Sequence, residues 1–196
     1  MSNHREYPDI RVVRTRSKLR EALTDLLQNS AYAAVNVTDI ARTAGVNRIT
    51  FYNHYSAKDE LISEILDLQL DSYISLIDRF NPYKLSGGLT AEIEQFIRIN
   101  FEHFDQYAKV YKILLSGEFP DYSKRFIEMM QESIRHVLSK MMRSPELNDE
   151  DYIFMIEWMV GGTMWTIRNF INNDSRPSVE TISKRMIQNI PFKLLK

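Results

Sequence analysis

The sequence predicts an all-α protein. Apolar residues recur at steps of three and four over 10–27 and again over 61–77, which is the spacing of one helix face. No segment alternates apolar and polar residues with period two for long enough to form a sheet. Helix breaks are predicted at Asn81-Pro82, Ser86-Gly87-Gly88, Gly117 to Pro120, Ser144-Pro145 and Asn172 to Pro177.

Composition argues against most enzyme classes. The 196 residues contain no cysteine, which excludes a disulfide framework, a thiolate zinc site and a cysteine nucleophile. The six glycines form none of the phosphate-binding or nucleophile-elbow patterns. The first twenty residues lack the apolar core of a secretory signal, and Glu157 and Arg168 interrupt the most apolar stretch, 152–171. We therefore expect a soluble, cytoplasmic protein that is not an enzyme, with no cofactor and no membrane partner.

Charge is unevenly distributed along the chain. Residues 1–58 hold nine Lys/Arg side chains against five Asp/Glu, a surplus of four, whereas the remainder has sixteen against twenty-one. The net charge of −1 hides this separation. A modest basic surplus is common on a solvated face without a partner, so it indicates nucleic-acid binding only where a motif supports it.

Two short helices joined by a tight turn are predicted after a first helix that covers about 9–29. Thr38 is a favourable N-cap, and the acid that follows it suits a helix N-terminus. Small apolar residues, which allow a close approach of another helix, then follow at Ile40, Ala41 and Ala44. Gly45 stands where this helix must stop, because glycine adopts the left-handed conformation without steric cost.

A third short helix is predicted from Arg48 to about Asn53. Asn47 is expected to cap it, and Phe51 is expected to face inward. Ser56-x-x-Asp59 forms a capping box for the next helix. A helix, a glycine turn and a second helix with a basic, hydroxyl-rich outer face describe a helix-turn-helix.

The outer face of the third helix carries groups suited to DNA. Arg48 can bind a guanine through O6 and N7, which gives roughly 1–3 kcal/mol of discrimination, and Ile49 suits a thymine methyl. Hydrogen-bonding side chains that suit phosphates or base edges are Thr50, Tyr52 and His54. Lys58 lies in the first turn of the following helix, where the helix dipole favours a phosphate. Each residue alone is explained more readily by packing or by a place on the surface, by about two to one, but the combination predicts DNA binding.

The segment 36–61 resembles the DNA-binding domain of the TetR family of transcriptional regulators. The residues that match the family's pattern are Val37, Thr38, Asp39, Ile40, Ala41, Ala44, Gly45, Val46, Thr50, Phe51, Tyr52, His54, Tyr55, Lys58 and Leu61. The phosphate contacts that this resemblance implies are Thr38, Tyr52, His54 and Lys58. The implied base contacts are Arg48, Ile49 and Thr50. Asn47 stands where serine is usual and caps equally well, and the first helix would bring Arg11, Arg14 or Lys18 near the DNA backbone.

The C-terminal segments predict a helical bundle that dimerises. Thirteen large apolar residues in 152–171 cover more than one helix face, so one side must bury against something outside its own domain. Gly161-Gly162 in mid-helix is tolerable where another backbone approaches closely. The TetR family dimerises through a four-helix bundle in this region, and a buried central helix of a monomer is the alternative. The predicted dimer interface comprises Tyr152, Met155, Met159, Gly162, Ile182 and Met186.

Aromatic and methionine side chains are frequent in 89–142, and most are expected to be core. The TetR family often binds an effector between the helices of this domain. The weak candidates for the wall of such a pocket are Phe101, Phe104, Tyr107, Tyr111 and Trp158. His103 and His136 have no obvious third ligand, so no metal site is expected.

The sequence therefore predicts two domains, a three-helix helix-turn-helix DNA-binding domain over 1–56 and a larger helical effector-binding and dimerisation domain over 57–196. The predicted function is that of a sequence-specific transcriptional regulator that binds double-stranded DNA as a homodimer. We expect a repressor that a small hydrophobic effector releases from a palindromic operator. A constitutive DNA-binding protein without a ligand and a helical interaction protein without DNA binding remain as alternatives.

Overall fold

The computed structural model describes residues 9–80, 89–141 and 149–190. In these ranges every regular element is a helix, which confirms the all-α prediction. The α-helices are α1 (Ile10–Leu26), α2 (Val37–Thr43), α3 (Arg48–Tyr52), α4 (Lys58–Arg79), α5 (Leu89–Gln106), α6 (Ala108–Leu114), α7 (Pro120–Met141), α8 (Asp149–Asn172) and α9 (Val179–Gln188). A 3-10 turn (Tyr32–Ala34) lies between α1 and α2. Across the described residues, no helix has both the length and the hydropathy that crossing a bilayer requires.

The chain divides into two compact units, an N-terminal unit (Met1–Leu68) and a C-terminal unit (Gln69–Lys196). Helix α4 contributes its first half to one unit and its second half to the other. The predicted domain boundary after residue 56 would assign α4 wholly to the second domain, and that assignment stays a prediction.

The N-terminal unit is built around one apolar core. Helix α1 packs against α2, and α2 packs against α3. The fully buried apolar side chains of this core are Leu19, Leu23, Ile40, Phe51, Leu61 and Leu66. Each contributes on the order of 1.5–3 kcal/mol through removal of its apolar surface from water, so the core outweighs any single polar contact in the unit.

The C-terminal unit is centred on α5, which packs against α6, α8 and α9, while α7 packs against α8. Its interior holds an aromatic cluster. The Tyr73 ring lies 5.2 Å from that of Phe126 in an edge-to-face arrangement, and the Phe104 and Tyr111 rings lie 5.0 Å apart at 89°. All four side chains are buried, as predicted for most aromatic residues of this region.

The chain breaks between α6 and α7 and between α8 and α9 follow the prediction. Gly117 has a φ of +93°, which favours glycine, and Pro120 takes the first position of α7, where its missing N–H costs nothing. Ser178 caps α9 by accepting the Thr181 N–H at 3.2 Å. The predicted breaks at 81–82, 86–88 and 144–145 lie outside the described residues.

His103 makes the stability of the C-terminal unit depend on pH. Its ring is 7% exposed, lies 4.8 Å from the Tyr107 ring, and has its Nε2 3.1 Å from the Gln69 amide nitrogen. Burial, assisted by the positive charge of Arg79, lowers the pKa of His103 to about 4. In the unfolded chain the pKa returns to about 6.5, so between these values only the unfolded chain takes up the proton.

We expect the free energy of unfolding to fall by about 1 kcal/mol as the pH is lowered from 6.5 to 5, an amount that allows for partial solvent screening of the ring. His103→Gln, which cannot be protonated, should flatten this dependence in urea unfolding followed at a series of pH values. The matched control is His136→Gln, which replaces an exposed histidine on α7 and should keep the parent's slope. A slope equal to the parent's in His103→Gln would contradict the assignment.

Candidate functional site

Helix α2 begins two residues before the predicted position. Asn36 caps it, because its Oδ1 accepts the N–H groups of Thr38 at 2.9 Å and Asp39 at 3.1 Å. The prediction that Thr38 is the N-cap is therefore wrong, since an asparagine two residues earlier already accepts from these donors. Thr38 instead lies exposed in the first turn of α2.

The turn after α2 has the predicted left-handed glycine. Gly45 has a φ of +67°, and its N–H donates to the Arg42 carbonyl at 3.1 Å. The Val46 N–H reaches back to the Ala41 carbonyl at 2.9 Å, which closes the helix end with the bond pattern typical of a glycine C-cap. This pair of bonds fixes the direction in which the chain enters α3.

Helix α3 also matches its prediction. The Asn47 Oδ1 accepts the Thr50 N–H at 2.7 Å and the Thr50 hydroxyl at 3.0 Å. Phe51 is fully buried, whereas Ile49 is 73% exposed and Tyr52 is 50% exposed. The short helix is thus held at its start by a cap and on its inner side by one aromatic ring, and its outer face is left to solvent.

Four of the predicted DNA contacts lie around one open concavity of about 730 Å³ in the N-terminal unit. Its lining includes Thr38, Arg48, Tyr52 and Lys58. The other predicted contacts, which lie outside this lining, are Asn47, Ile49, Thr50 and His54. The residues predicted to bind phosphates and bases therefore form a surface that extends from the concavity over the outer face of α3, with His54 half-buried just beyond the helix.

Lys58 has a structural role that the sequence did not reveal. Its Nζ donates to the Tyr32 carbonyl at 2.8 Å and to the Val35 carbonyl at 2.7 Å, and it lies 4.2 Å from the centroid of the Tyr32 ring. The Tyr32 hydroxyl in turn donates to Asp59 at 2.7 Å. An ammonium group has three N–H donors, so one remains for a further acceptor. Lys58 thus joins the 3-10 turn to the start of α4.

The acid that accepts hydrogen bonds from Ser56 is Glu60, not the predicted Asp59. The Glu60 carboxylate accepts the Ser56 N–H at 2.7 Å and the Ser56 hydroxyl at 2.9 Å. These hydrogen bonds, with that from the Ser56 N–H the stronger, lower the pKa of Glu60. The prediction that Asp59 completes the box is wrong, because Asp59 accepts from Tyr32 instead.

The basic residues of α1 divide into two groups. Arg16 and Arg20 both donate to the Glu64 carboxylate, Arg20 at 2.6 Å, and the Arg16 guanidinium lies 4.7 Å from the centroid of the Tyr55 ring. Burial alone would raise the pKa of Glu64, but the hydrogen bonds from Arg16 and Arg20 outweigh it and lower the pKa. The second group is exposed and comprises Arg11, Arg14 and Lys18, the residues predicted to lie near the DNA backbone.

A cavity of about 330 Å³ lies in the C-terminal unit among α4, α5, α7, α8 and α9. Of the five predicted wall residues, Phe101, Phe104 and Trp158 line it. Tyr107 and Tyr111 do not, because Tyr111 is fully buried against Phe104 and the Tyr107 ring packs on His103. The polar members of the lining include Asn100 and Arg185, which the sequence analysis missed because neither belongs to a motif.

Most of the residues predicted for the dimer interface line the cavity or lie in the core of their own C-terminal unit. Those that line the cavity are Met159, Gly162, Ile182 and Met186. Met155 is 5% exposed, so its side chain belongs to the core of the C-terminal unit, and Tyr152 is half-buried. The aromatic side chains that α8 leaves exposed are Phe154 at 69%, Trp158 at 56% and Trp165 at 68%, and Ile153 beside them is 48% exposed. We call the three aromatic residues the aromatic face of α8.

Within the described ranges, no three His, Asp or Glu side chains are placed so that they could hold a metal ion. Nothing in the geometry of that part of the chain assigns a role to a cofactor. The described residues offer two surfaces suited to binding. One carries exposed cations and hydroxyls around α3, and the other is the apolar cavity of the C-terminal unit.

Two family models match the chain. One, described as "Transcriptional regulator C-terminal region", covers residues 91–191 and belongs to the TetR group. The other, described as "Bacterial regulatory proteins, tetR family", covers residues 19–65. The first alone matches more than half of the chain, and the second covers the segment that carries the helix-turn-helix.

The individual relatives that the chain matches have low sequence identity or cover only part of the chain. The dhaKLM operon transcriptional activator DhaS of Lactococcus lactis is 31% identical over 99 residues, which are 50% of this chain and 50% of DhaS. The transcriptional repressor KstR2 of Rhodococcus jostii is 22% identical over 183 residues, 88% of this chain and 87% of KstR2. The chain spans half or less of the length of the first curated relatives that it matches.

A crystal structure of a transcriptional regulator from Aquifex aeolicus superimposes with a TM-score of 0.68 at 20% identity. The alignment covers 89% of this chain and 96% of the Aquifex chain, so the two share the fold. With the family models on both units and the helix-turn-helix geometry described above, the chain belongs to the TetR family of DNA-binding transcriptional regulators.

Proposed function

We propose that the protein is a homodimeric repressor that binds a palindromic operator through α3 and is released by a small hydrophobic effector. One observation carries the proposal: α3 exposes Arg48, Ile49 and Tyr52 on a helix whose start is capped and whose inner face is buried. A rigid helix with an exposed polar face is what reading a major groove requires.

The exposed positions suggest a division of labour on DNA. Arg48 and Ile49 stand at the start of α3, where side chains reach base edges, and Thr50 follows them. The proposed phosphate contacts, which would set the register on the duplex, are Thr38, Tyr52, His54 and Lys58. The exposed cations of α1 add charge that attracts any DNA sequence.

The aromatic face of α8 supports a homodimer. Phe154, Trp158 and Trp165 recur at steps of four and seven along the helix and leave large apolar surfaces in water. Apart from the neighbouring residues and backbone of α8 itself, a Cβ built on Gly161 or Gly162 meets no described atom within 4 Å, so there is room beside them for another backbone. A two-fold dimer would present two copies of α3 to half-sites about 34–36 Å apart, or a multiple of that distance.

The cavity of the C-terminal unit supports regulation by a small molecule. The dimer can adopt conformations that differ in the spacing of its two α3 helices. An effector that binds one of these conformations more tightly shifts the population towards it. A coupling of roughly 1–3 kcal/mol changes operator affinity about 5–150-fold, which is enough for a regulatory switch. Such a protein acts on DNA in the cytoplasm, and the absence of cysteine from the sequence suits that compartment.

Activation of transcription is the second candidate. DhaS, which is 31% identical over half of this chain, is an activator, whereas KstR2 is a repressor. We favour repression because occupying an operator requires only a dimer and its DNA-binding surface. A promoter–reporter fusion separates the two, since deletion of the regulator raises expression under repression and lowers it under activation.

The decisive experiment is an electrophoretic mobility shift with DNA that flanks the protein's own gene. We expect one fragment to be bound well above random DNA of equal length, and binding to be lost when one arm of its palindrome is scrambled. Equal retention of all fragments would leave only non-specific binding and would overturn the proposal.

Arg48→Ala should weaken operator binding by roughly 1–3 kcal/mol for each half-site and relax the preference at one base pair there, because a bidentate guanine contact is lost in each. Binding to random DNA should change little. The control is Arg42→Ala, which removes an exposed arginine of α2 that is paired with Asp39 at 2.8 Å. If both variants keep the parent's base preference, Arg48 does not read a base.

Lys58→Met keeps the aliphatic stem but removes the ammonium group. We expect a loss of roughly 1–2 kcal/mol of stability, because two half-buried carbonyls lose their donor. If the third N–H binds a phosphate, the slope of log K against log salt also falls by about one unit for each half-site, about two for the dimer, on every DNA sequence. Lys124→Met, on the exposed surface of α7, is the control for both measurements. Unchanged stability would contradict the role of Lys58 in joining the 3-10 turn to α4.

Trp165→Glu should raise the dimer dissociation constant about 30-fold or more, since truncating a central aromatic contact typically costs 2 kcal/mol or more. Sedimentation equilibrium measures the change. Trp165 is 68% exposed in the single chain, so the variant should retain its helical circular dichroism spectrum. Ile74→Glu alters another exposed apolar residue, on α4, and should leave the association constant unchanged. A Trp165→Glu protein that dimerises like the parent would place the interface elsewhere.

A further inference from the structure

The wall of the cavity in the C-terminal unit is mainly apolar and aromatic. Phe96, Phe101 and Phe104 contribute from α5, and Trp158 contributes from α8. The volume of about 330 Å³ lies at the small end of ligand sites in proteins, which hold roughly 300–1,000 Å³. A small apolar body that contains a ring suits such a wall, because aromatic rings pack favourably edge to face.

One hydrogen-bond acceptor that belongs to a wall residue has no partner among the described residues. Asn100 lines the cavity and is 5% exposed, and its Nδ2 donates to the Phe96 carbonyl at 2.8 Å. Because a carbonyl can only accept, this bond identifies the nitrogen end of the amide. The Oδ1 at the other end is buried and has no hydrogen-bond partner among the described residues. A buried acceptor without a donor is costly, and a ligand hydroxyl or N–H would remove that cost.

A single charged side chain, that of Arg185, occurs among the described residues that line the cavity. Arg185 lies on α9, is exposed, and makes no ion pair with a carboxylate of the described chain. Its neighbour Lys184 is paired with Glu180 at 2.6 Å. A free guanidinium beside an apolar cavity is suited to a carboxylate, which it can bind through two parallel hydrogen bonds.

We propose that this cavity binds a small amphipathic acid with three parts: an apolar body that contains a ring, a hydroxyl or N–H group that donates to the Asn100 Oδ1, and a carboxylate that pairs with Arg185. The inference rests on the proposed function in that it takes this cavity to be the effector site. It adds the chemical class of the effector, which the family does not fix.

Isothermal titration calorimetry on the full chain without DNA tests the class with three probes. 4-(4-Hydroxyphenyl)butanoate carries both polar groups, 4-phenylbutanoate lacks the donor, and 4-(4-hydroxyphenyl)butan-1-ol lacks the charge. The parent should bind the first probe about fivefold more tightly than the second, the effect of one hydrogen bond, and about threefold more tightly than the third, the effect of one exposed ion pair.

Two variants assign these preferences to residues. Asn100→Leu should remove the preference for the hydroxylated probe and keep the preference for the acid, whereas Arg185→Gln should do the reverse. Lys184→Gln, one residue away on α9, should keep both. Asn100→Leu should also melt at or above the parent's temperature without ligand, because it removes an unpaired buried acceptor.

Equal affinity of the parent for all three probes, or binding of none of them, overturns the proposal without reference to any variant. So does a preference that survives in the variant meant to remove it. A mobility shift with the operator then separates this inference from the proposed function. If the first probe binds with both preferences but leaves the operator complex intact, the ligand class holds and the effector role fails. If a neutral apolar compound releases the operator, the effector role holds and the ligand class fails.

Discussion

The recognition surface depends on holding two very short helices in place. Helix α2 has seven residues and α3 has five, lengths at which an isolated helix does not form in water. Asn36 and Asn47 each satisfy free N–H groups at a helix start, and Gly45 supplies the left-handed turn between them. Burial of Ile40 and Phe51 anchors both helices in the core. Because the inner face of α3 is buried through Phe51 and its first turn is capped by Asn47, the outer face of the helix is held towards solvent.

Local features of this surface were predictable from the sequence, and contacts between distant residues were not. Gly45, the cap at Asn47 and the burial of Phe51 each follow from neighbours within four positions. The contact of Lys58 with the Tyr32 carbonyl spans 26 residues, and that of Arg16 with Glu64 spans 48. No spacing rule links such pairs, because the fold alone brings them together. The error at Thr38 is different, since Asn36 and Thr38, which lie two positions apart, are both acceptable N-cap residues.

The C-terminal unit shows a second limit of sequence reasoning. Residue type alone cannot tell an aromatic side chain in a packed core from one in a cavity wall. Tyr111 and Phe104 are both fully buried, yet only Phe104 borders the cavity. The all-α fold, by contrast, follows from periodicity summed over many residues, so errors at single positions do not change it.

Trp158 belongs to two surfaces at once. Its indole borders the cavity and is also 56% exposed on the aromatic face of α8. If the cavity binds an effector and this face meets a second chain, as we propose, a change at Trp158 that suits a new small molecule would also alter the dimer interface. Ile97 and Ile134 also line the cavity but are almost completely buried, so they are not part of the aromatic face of α8. Substitutions there can change which small molecule fits the cavity without changing that face. We therefore expect Trp158 to be retained among related proteins while the other residues of the cavity wall vary.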